Sequence, residues 1–386
     1  MRTIVIGGGI GGLTAAIALS RKGWDVTVLE QAPRLEPVGS GLAIAVNGLR
    51  ALDVIGLGDP VRALSRIQGQ VGIRRPDGRW LTHTSGDAAD ERYGDRAAVM
   101  LLRSHLVDLL ADALGPDRLR LGTRVTGVDA TTGTVRTDAG DLTADLVVAA
   151  DGIHSPTRRA LFPGHPDPVY SGVTAWRGLA PKPDTPLRNS ETWGRGLVFG
   201  AHPLDDETVY FYATDLAPPG EVAEDEKGAL LRRFQGWHDP IPELLNAADP
   251  GAIIRNDLYY LKKPLPAMHR GRVALVGDAA HPMTPNLGQG ACQAIEDAIV
   301  LAHRAGGDLA AYTEARLSRT ASVVRQSMNV CRMTKLRSPL AVALRDTAMS
   351  LATRLMPDLM LRRADGILRW RPPRRAGCDR VRDGRG

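Results

Sequence analysis

The chain has 386 residues, 43% of them hydrophobic, so it can bury a large core and is expected to hold two structural units. Its net charge is +6, yet the nine arginines and three aspartates between residues 362 and 386 supply all of it. The rest is near neutral, which excludes a molecule-wide basic face for nucleic acid.

In chain order, Thr3 to Ile6 form a short apolar run, readable as a buried parallel strand. Gly7-Gly8-Gly9-Ile10-Gly11-Gly12 follows at once and fits G-x-G-x-x-G. Leu13 and Ile17 then recur at helical spacing, and a second strand, Val26 to Leu29, ends at Glu30. In this pattern Gly7 permits a tight turn, Gly9 lets the backbone approach a pyrophosphate, and Gly12 lets helix and strand pack closely. The helix N-terminus offers free N–H groups to phosphates, and Glu30 can accept ribose hydroxyls. The fingerprint does not choose between NAD and FAD. A glycine-rich excursion follows over Gly39 to Ala43. Within residues 71–98 short strands and a polar loop, Ser85 to Asp95, are expected. Leu102, Leu106, Leu109, Leu110 and Leu114 mark one side of a helix, with Arg103 near its start. Residues 119–150 read as short strands with a turn at Asp138-Ala139-Gly140. The strand ending at Ala150 leads into Asp151-Gly152, with Ser155 and Arg158 just beyond.

Residues 168–215 read as antiparallel strands, Val169 to Leu179, Glu191 to Phe199 and Thr208 to Thr214. They carry seven of the chain's 17 aromatic residues. Strand alternation puts Tyr210 and Tyr212 on one face and Phe211 on the other. Arg272 to Val276 is another buried strand. Gly277-Asp278 sits at its carboxyl end, where ligands bind in open α/β sheets, and Asp278 can accept hydrogen bonds from a polyol such as a ribityl chain. His281 follows this pair closely and invites a catalytic reading. Pro285-Asn286-Leu287-Gly288-Gln289-Gly290 opens a helix with Ile295, Ala298, Ile299 and Ala302 on one face. Its N-terminus suits the negatively charged pyrimidine side of a reduced flavin. A long helix is expected over 308–336, and further helices over 339–370, interrupted at Pro357. The stretch Arg369 to Arg375 is expected to fray into solvent. Cys292, Cys331 and Cys378 form no metal or disulfide pattern, no leader or membrane-length apolar run is visible, and a reducing cytoplasm is expected.

Together the Gly7–Gly12, Asp151–Arg158 and Gly277–Gly290 segments, in this order, resemble the class A flavoprotein monooxygenases, the p-hydroxybenzoate hydroxylase-like family. The likeness runs from residue 1 to about residue 320 and is greatest to the short bacterial hydroxylases that include FAD-dependent urate hydroxylase. It implies an α/β fold, a Rossmann-like FAD-binding domain with an inserted, mainly antiparallel β-sheet substrate domain and C-terminal helices. The expected FAD-binding parts are 1–72, 98–165 and 266–330. The substrate domain would be 73–97 and 166–265, followed by C-terminal helices over 331–371 and a basic tail over 372–386.

The resemblance also implies roles. FAD would be held by Gly7, Gly9, Gly11, Gly12, Leu13, Glu30, Gln31, Ala43, Arg103, Val125, Asp151, Asp278, Gly288, Gln289, Gly290 and Ala291. Tyr210 and Pro285 would stand at the reacting ring, with Trp176, Trp193, Phe199, Tyr212 and Asn286 around the substrate, and no metal. Asp151 would also serve a passing NADH or NADPH, for which there is no second fingerprint. His281 would be a structural histidine that supports its loop. The reaction implied is consumption of NAD(P)H and O2, with hydroxylation or epoxidation of an aromatic or electron-rich ring through a C4a-hydroperoxyflavin. In the urate hydroxylases an aspartate aligns with Asn286 and an arginine with Val198. Both differences remove charge that would hold a polar purine, so a more apolar ring is expected. The alternatives are a flavoprotein reductase or dehydrogenase on the same fold, or a flavin-free escort protein. A halogenase of this fold would carry W-x-W-x-I-P, which this chain lacks.

Overall fold

The computed structural model describes residues 1–35, 40–64, 70–94, 96–356 and 359–373. Strand β1 (Arg2–Ile6), helix α1 (Ile10–Ser20) and strand β2 (Asp25–Leu29) open the chain. Next come β3 (Gly41–Ala45), α2 (Val46–Val54), α3 (Gly58–Leu64), β4 (Gln70–Arg74), β5 (Trp80–Ser85), α4 (Gly86–Tyr93), β6 (Ala98–Leu102) and α5 (Arg103–Leu114). Short strands β7 (Leu119–Arg120), β8 (Val125–Asp129), β9 (Thr134–Thr137), β10 (Gly140–Thr143) and β11 (Leu146–Ala149) lead to α6 (Pro156–Leu161). Then come β12 (Val169–Pro181), β13 (Asn189–Trp193), β14 (Val198–Pro203), β15 (Thr208–Asp215), α7 (Glu226–Arg233), α8 (Ile241–Ala247) and β16 (Ile254–Tyr260). The chain finishes with β17 (His269–Arg270), β18 (Val273–Leu275), α9 (Gly290–Arg304), α10 (Ala310–Thr334), α11 (Pro339–Leu355) and α12 (Leu359–Leu368).

Two large sheets organise the molecule. The first has strand order β17-β18-β11-β1-β2-β7 and is parallel except for β17. Its strands are near-continuous apolar runs because helices and loops cover both faces. The strand order reverses beside β1, and the crevice at such a switch point is where α/β sheets bind ligands. The second sheet has order β16-β12-β15-β14-β13-β4-β5 and is antiparallel except where β13 meets β4. One face of it buries Trp176, Phe199 and Phe211 against Leu230 and Phe234 of the α7 region and Leu244 and Leu245 of α8. The opposite face packs Tyr210 against Gly41 of β3, which pairs with β6.

Three expectations are corrected. The polar stretch after Ser85 is helix α4, because the Ser85 hydroxyl accepts from Ala88 N at 3.0 Å and caps it, and Gly94 ends it in the left-handed region at φ +70. Glu191 to Phe199 is two strands, not one. Gly194 N–H bonds the Leu197 carbonyl at 2.8 Å and Gly196 turns at φ +78, making a tight hairpin between β13 and β14. Arg369 and Trp370 do not fray: Trp370 packs on the main core beneath Arg319, whose guanidinium lies 5.9 Å from its ring. Gly39, Asp95, Pro357, Cys378 and residues 374–386 lie outside the described residues.

Candidate active site

The glycines of the first turn divide into two kinds. A Cβ on Gly7 would sit 2.4 Å from the Ala150 carbonyl oxygen, and one on Gly12 would sit 2.0 Å from the Gly7 carbonyl oxygen. Both are glycine for backbone packing. Gly9 is different, since nothing lies within 4 Å of where its Cβ would be. It faces open space at the start of α1, whose N-terminus no side chain caps. A diphosphate would satisfy those first-turn amides. Gly11 instead lies against Val276 and Ala294, and the Leu13 side chain is fully buried, so these two can offer only backbone to a ligand. Glu30 ties the turn together, accepting from Gly8 N at 2.7 Å and from Ala32 N at 2.8 Å. Each carboxylate oxygen keeps a second lone pair for a ribose hydroxyl. Gln31 beside it is exposed, and Val125 at the start of β8 is partly buried against the core.

The second and third motifs are joined by one side chain. Arg158 is almost fully buried and donates to the carbonyls of Ile153 (2.6 Å), Asp278 (3.2 Å) and Ala279 (3.0 Å). Asp151 accepts from the Ser155 hydroxyl at 2.5 Å and from Thr157 N at 3.1 Å, and Ser155 in turn caps α6 through Arg158 N. The Asp151 carboxylate thus holds its own turn. Asp278 reaches water at the floor of the crevice while protein surrounds it on most sides. That crowding pushes its carboxyl up, against the opposing pull of His281, Arg103 and Arg158. Arg103 opens α5, its backbone N–H bonded to Ser40 O at 2.9 Å and its side chain exposed.

Helix α9 begins at Gly290 without a side-chain cap, after Gly288 at φ +60, and nothing occupies the Cβ position of Gly290. Gly288 lies against Ala43 of β3, and Ala291 in the first turn is partly buried. Gln289 points inward, accepting from Asn47 at 3.0 Å and Gln293 at 3.1 Å. Pro285 is exposed beside it, and the side-chain oxygen of Asn286 is buried with no donor among the described residues. An unmet acceptor at this place is costly unless a ligand supplies the donor. The residues present therefore fit a bound FAD.

Beneath α9 is a charged core that the sequence did not reveal. Arg316 is fully buried, with its Nε 2.6 Å from Asp297 and another of its N–H groups on Glu296. Arg319 adds a bond to Glu296 at 2.7 Å. His281 Nε2 lies 2.5 Å from Asp297 Oδ2, which also accepts from Gly277 N at 3.0 Å, so the histidine is structural as expected. Burial pushes Asp297 up, but His281 and Arg316 outweigh it and hold the carboxyl below its usual range. The adjacent acids 296–297 in an apolar helix were the available signal.

The sheet face opposite carries Arg177, Glu191, Trp193, Val198, His202, Tyr210 and Tyr212. A Cβ on Gly41 would meet the Tyr210 ring at 2.5 Å, so this ring lies flat on β3 of the flavin-side structure. The Tyr212 hydroxyl and the Trp193 indole N–H (2.7 Å) both donate to Glu191. Burial pushes the Glu191 carboxyl up, and those two donors pull it back. His202 stacks on Tyr212 at 5.8 Å, and burial pushes it down to about 4. Tyr210 is raised by burial against the charge of Arg177, so it stays a neutral phenol. Trp176 and Phe199, expected to line the substrate, are instead on the far face. Trp176 donates to Glu226 at 2.7 Å, and Phe199 stacks on Phe211. Glu191, His202 and Arg177 take their place. The misreading of one strand where there are two had hidden which residues of 191–202 share the Tyr210 face.

A nucleotide crevice that opens onto an aromatic, largely enclosed sheet face is the arrangement of a flavoprotein oxidoreductase. The chain matches the FAD binding domain family over residues 1–180 and 261–327. It is 36% identical over 376 residues to an aurachin C monooxygenase/isomerase of Stigmatella aurantiaca, covering 94% of this chain and 97% of that one. It is 34% identical over 351 residues to an FAD-dependent urate hydroxylase of Klebsiella pneumoniae, covering 86% of this chain and 90% of the other. Among solved structures it is similar to Klebsiella pneumoniae HpxO complexed with FAD and uric acid, with a TM-score of 0.85, 29% identity and coverage of 93% and 95%. The chain belongs to this family and is an FAD-dependent monooxygenase of class A.

Proposed function

We propose that the enzyme takes electrons from NADH or NADPH, consumes O2 and hydroxylates or epoxidises a compact aromatic or other electron-rich ring less polar than urate. The observation that carries this is the face presented by Val198, Gly200, Tyr210 and Tyr212. It offers aromatic surface and neutral hydroxyls, with Glu191 already shielded by Trp193 and Tyr212 and the neighbouring Arg177 engaged by Asn256 at 2.8 Å. The nicotinamide cofactor docks transiently, since the sequence has no second dinucleotide fingerprint. The buried free thiols Cys292 and Cys331 suit a reducing cytoplasm. Among the described residues no helix is long and apolar enough to cross a membrane.

In this reading the open Gly9 turn and the α1 amides hold the pyrophosphate, while Glu30 and Asp278 accept hydroxyls of the ribose and ribityl portions. The uncapped start of α9 would suit the negatively charged pyrimidine edge of the reduced flavin. When bound, FAD supplies the redox and oxygen chemistry. The protein's own work is orientation and exclusion of water. Tyr210 positions the substrate ring through its phenol, and Asn286 Oδ1 accepts from a substrate or flavin donor. Pro285 shapes the loop between the two rings.

The test is a substrate screen following NAD(P)H oxidation and product mass, repeated under isotope-labelled oxygen gas. The product is expected to gain label from the gas and none from labelled water. Tyr210→Phe should slow product formation by roughly ten- to a hundredfold, the scale of a lost orienting hydrogen bond, with flavin content unchanged. Oxidation of substrate under argon with a dye acceptor would replace the reading by a dehydrogenase.

A further inference from the structure

Helix α11 is inside out. Its charged pair, Arg345 and Asp346, is 6% and 4% exposed, bonded to each other at 2.7 Å. Its leucines point outward: Leu340 is 81% exposed, Leu344 70%, Leu351 53% and Leu355 71%. At 100° per residue these four fall within an arc of about 60°, a continuous stripe roughly 22 Å long. Ala343, Thr347 and Ala348 border it, and all are exposed. A stripe of this kind on a surface helix marks a contact with something apolar.

The charges beside it identify the partner. Arg354, Arg362, Arg363 and Arg371 are exposed around and beyond its C-terminal end. The carboxylates among the described residues 337–373 are Asp346, buried against Arg345, and Asp365, paired with Arg92 at 2.6 Å. A face of leucines flanked by arginines, with no free acid among the described residues of this segment, complements anionic lipid. The chain itself cannot cover the stripe, because residues 374–386 have little apolar content beyond Ala376, Cys378 and Val381. A second copy fits poorly. Each copy would bring the same exposed arginines and offer no free acid among the described residues of this segment to meet them.

We propose that the outward face of α11, with the arginines of α12 and the segment after it, docks this enzyme on an anionic membrane surface without spanning it. The docked helix lies directly on the substrate-side hairpin. Arg345 holds the Gly194 carbonyl and stands 5.6 Å over the Trp193 ring.

The test is flotation of the flavin-loaded enzyme with vesicles of phosphatidylcholine alone or with about one-third phosphatidylglycerol. Binding is expected to the anionic vesicles, weak to the neutral ones and reversed by salt. Leu344→Ser with Leu351→Ser should lower the partition coefficient at least about tenfold with flavin content intact. Arg362→Gln with Arg363→Gln should lower it and flatten its salt dependence. The proposal is overturned if the wild-type enzyme fails to float with anionic vesicles, or if the leucine variant floats equally well. It is equally overturned if the stripe proves to be a self-interface, with the wild type sedimenting as a dimer that the leucine changes dissolve and no vesicle binding.

Discussion

At the scale of single residues, the most diagnostic position is Gly9, because its side of the turn is empty while those of Gly7 and Gly12 are filled by backbone. Gly9→Val should fold and yet purify without flavin, its side chain standing where the pyrophosphate must lie; full flavin content by absorbance would refute this placement. Glu30→Ala removes an acceptor for the ribose and also releases Gly8 and Ala32, and should weaken FAD by about 1–3 kcal/mol in a titration. His202 gives a pH signature. Half-buried in the sheet face, it is held down to about 4 by desolvation, whereas an unfolded histidine titrates near 6.5. Between those values the unfolded chain binds a proton that the folded chain refuses. The stabilising effect is thus complete above about pH 6.5 and is lost as pH falls toward about 4, by about 1–3 kcal/mol. His202→Phe should shrink the loss of urea midpoint between neutral pH and pH of about 4.5; an unchanged loss would mean that other groups carry it.

At the scale of elements, the site rests on helix α9, which carries bare amides at one end and a buried charge cluster along one side. Arg316 reaches from α10 to both Glu296 and Asp297, so it fixes the α9 start relative to the Gly277 turn. Arg316→Met removes the cation shared by two core carboxylates, leaving Glu296 only Arg319 and Asp297 only His281 as side-chain partners of opposite charge. A destabilisation of about 3–5 kcal/mol is expected by denaturant titration, with flavin retained in the fraction that stays folded. The flavin-side elements were legible in the sequence because their constraints are local. A turn that must admit phosphate demands Gly9, and a buried strand shows as Val273 to Leu275 whatever surrounds it. The substrate sheet was less legible. Whether Trp176 or Tyr210 faces the crevice depends on pairing across strands far apart in sequence, and the hairpin at Gly194–Leu197 was hidden by apolar residues on both sides of it. Partnerships such as Arg316 with Asp297 leave no periodic trace, since a charged residue on a helix is ordinarily read as exposed.

At the scale of the whole molecule, the C-terminal region closes the structure rather than trailing from it. Arg50 of α2 donates to the carbonyl of Leu368 at 2.9 Å, and Arg319 donates to those of Gly366 and Ile367 at 3.0 and 2.8 Å. Arg319 also holds Glu296, so the end of α12 is tied through one guanidinium to the helix that starts at the flavin crevice. Two truncations separate this anchor from the basic tail beyond it. A chain ending at residue 373 keeps Trp370 and every contact just named, and should retain wild-type thermal stability, flavin content and turnover. A chain ending at residue 368 loses the Trp370 ring from the core and from Arg319, and should lose about 1–3 kcal/mol, seen as a drop of several degrees in Tm. If the longer truncation is as stable as the full chain, Trp370 is a surface residue and the tie between the C-terminus and α9 is not one the fold depends on.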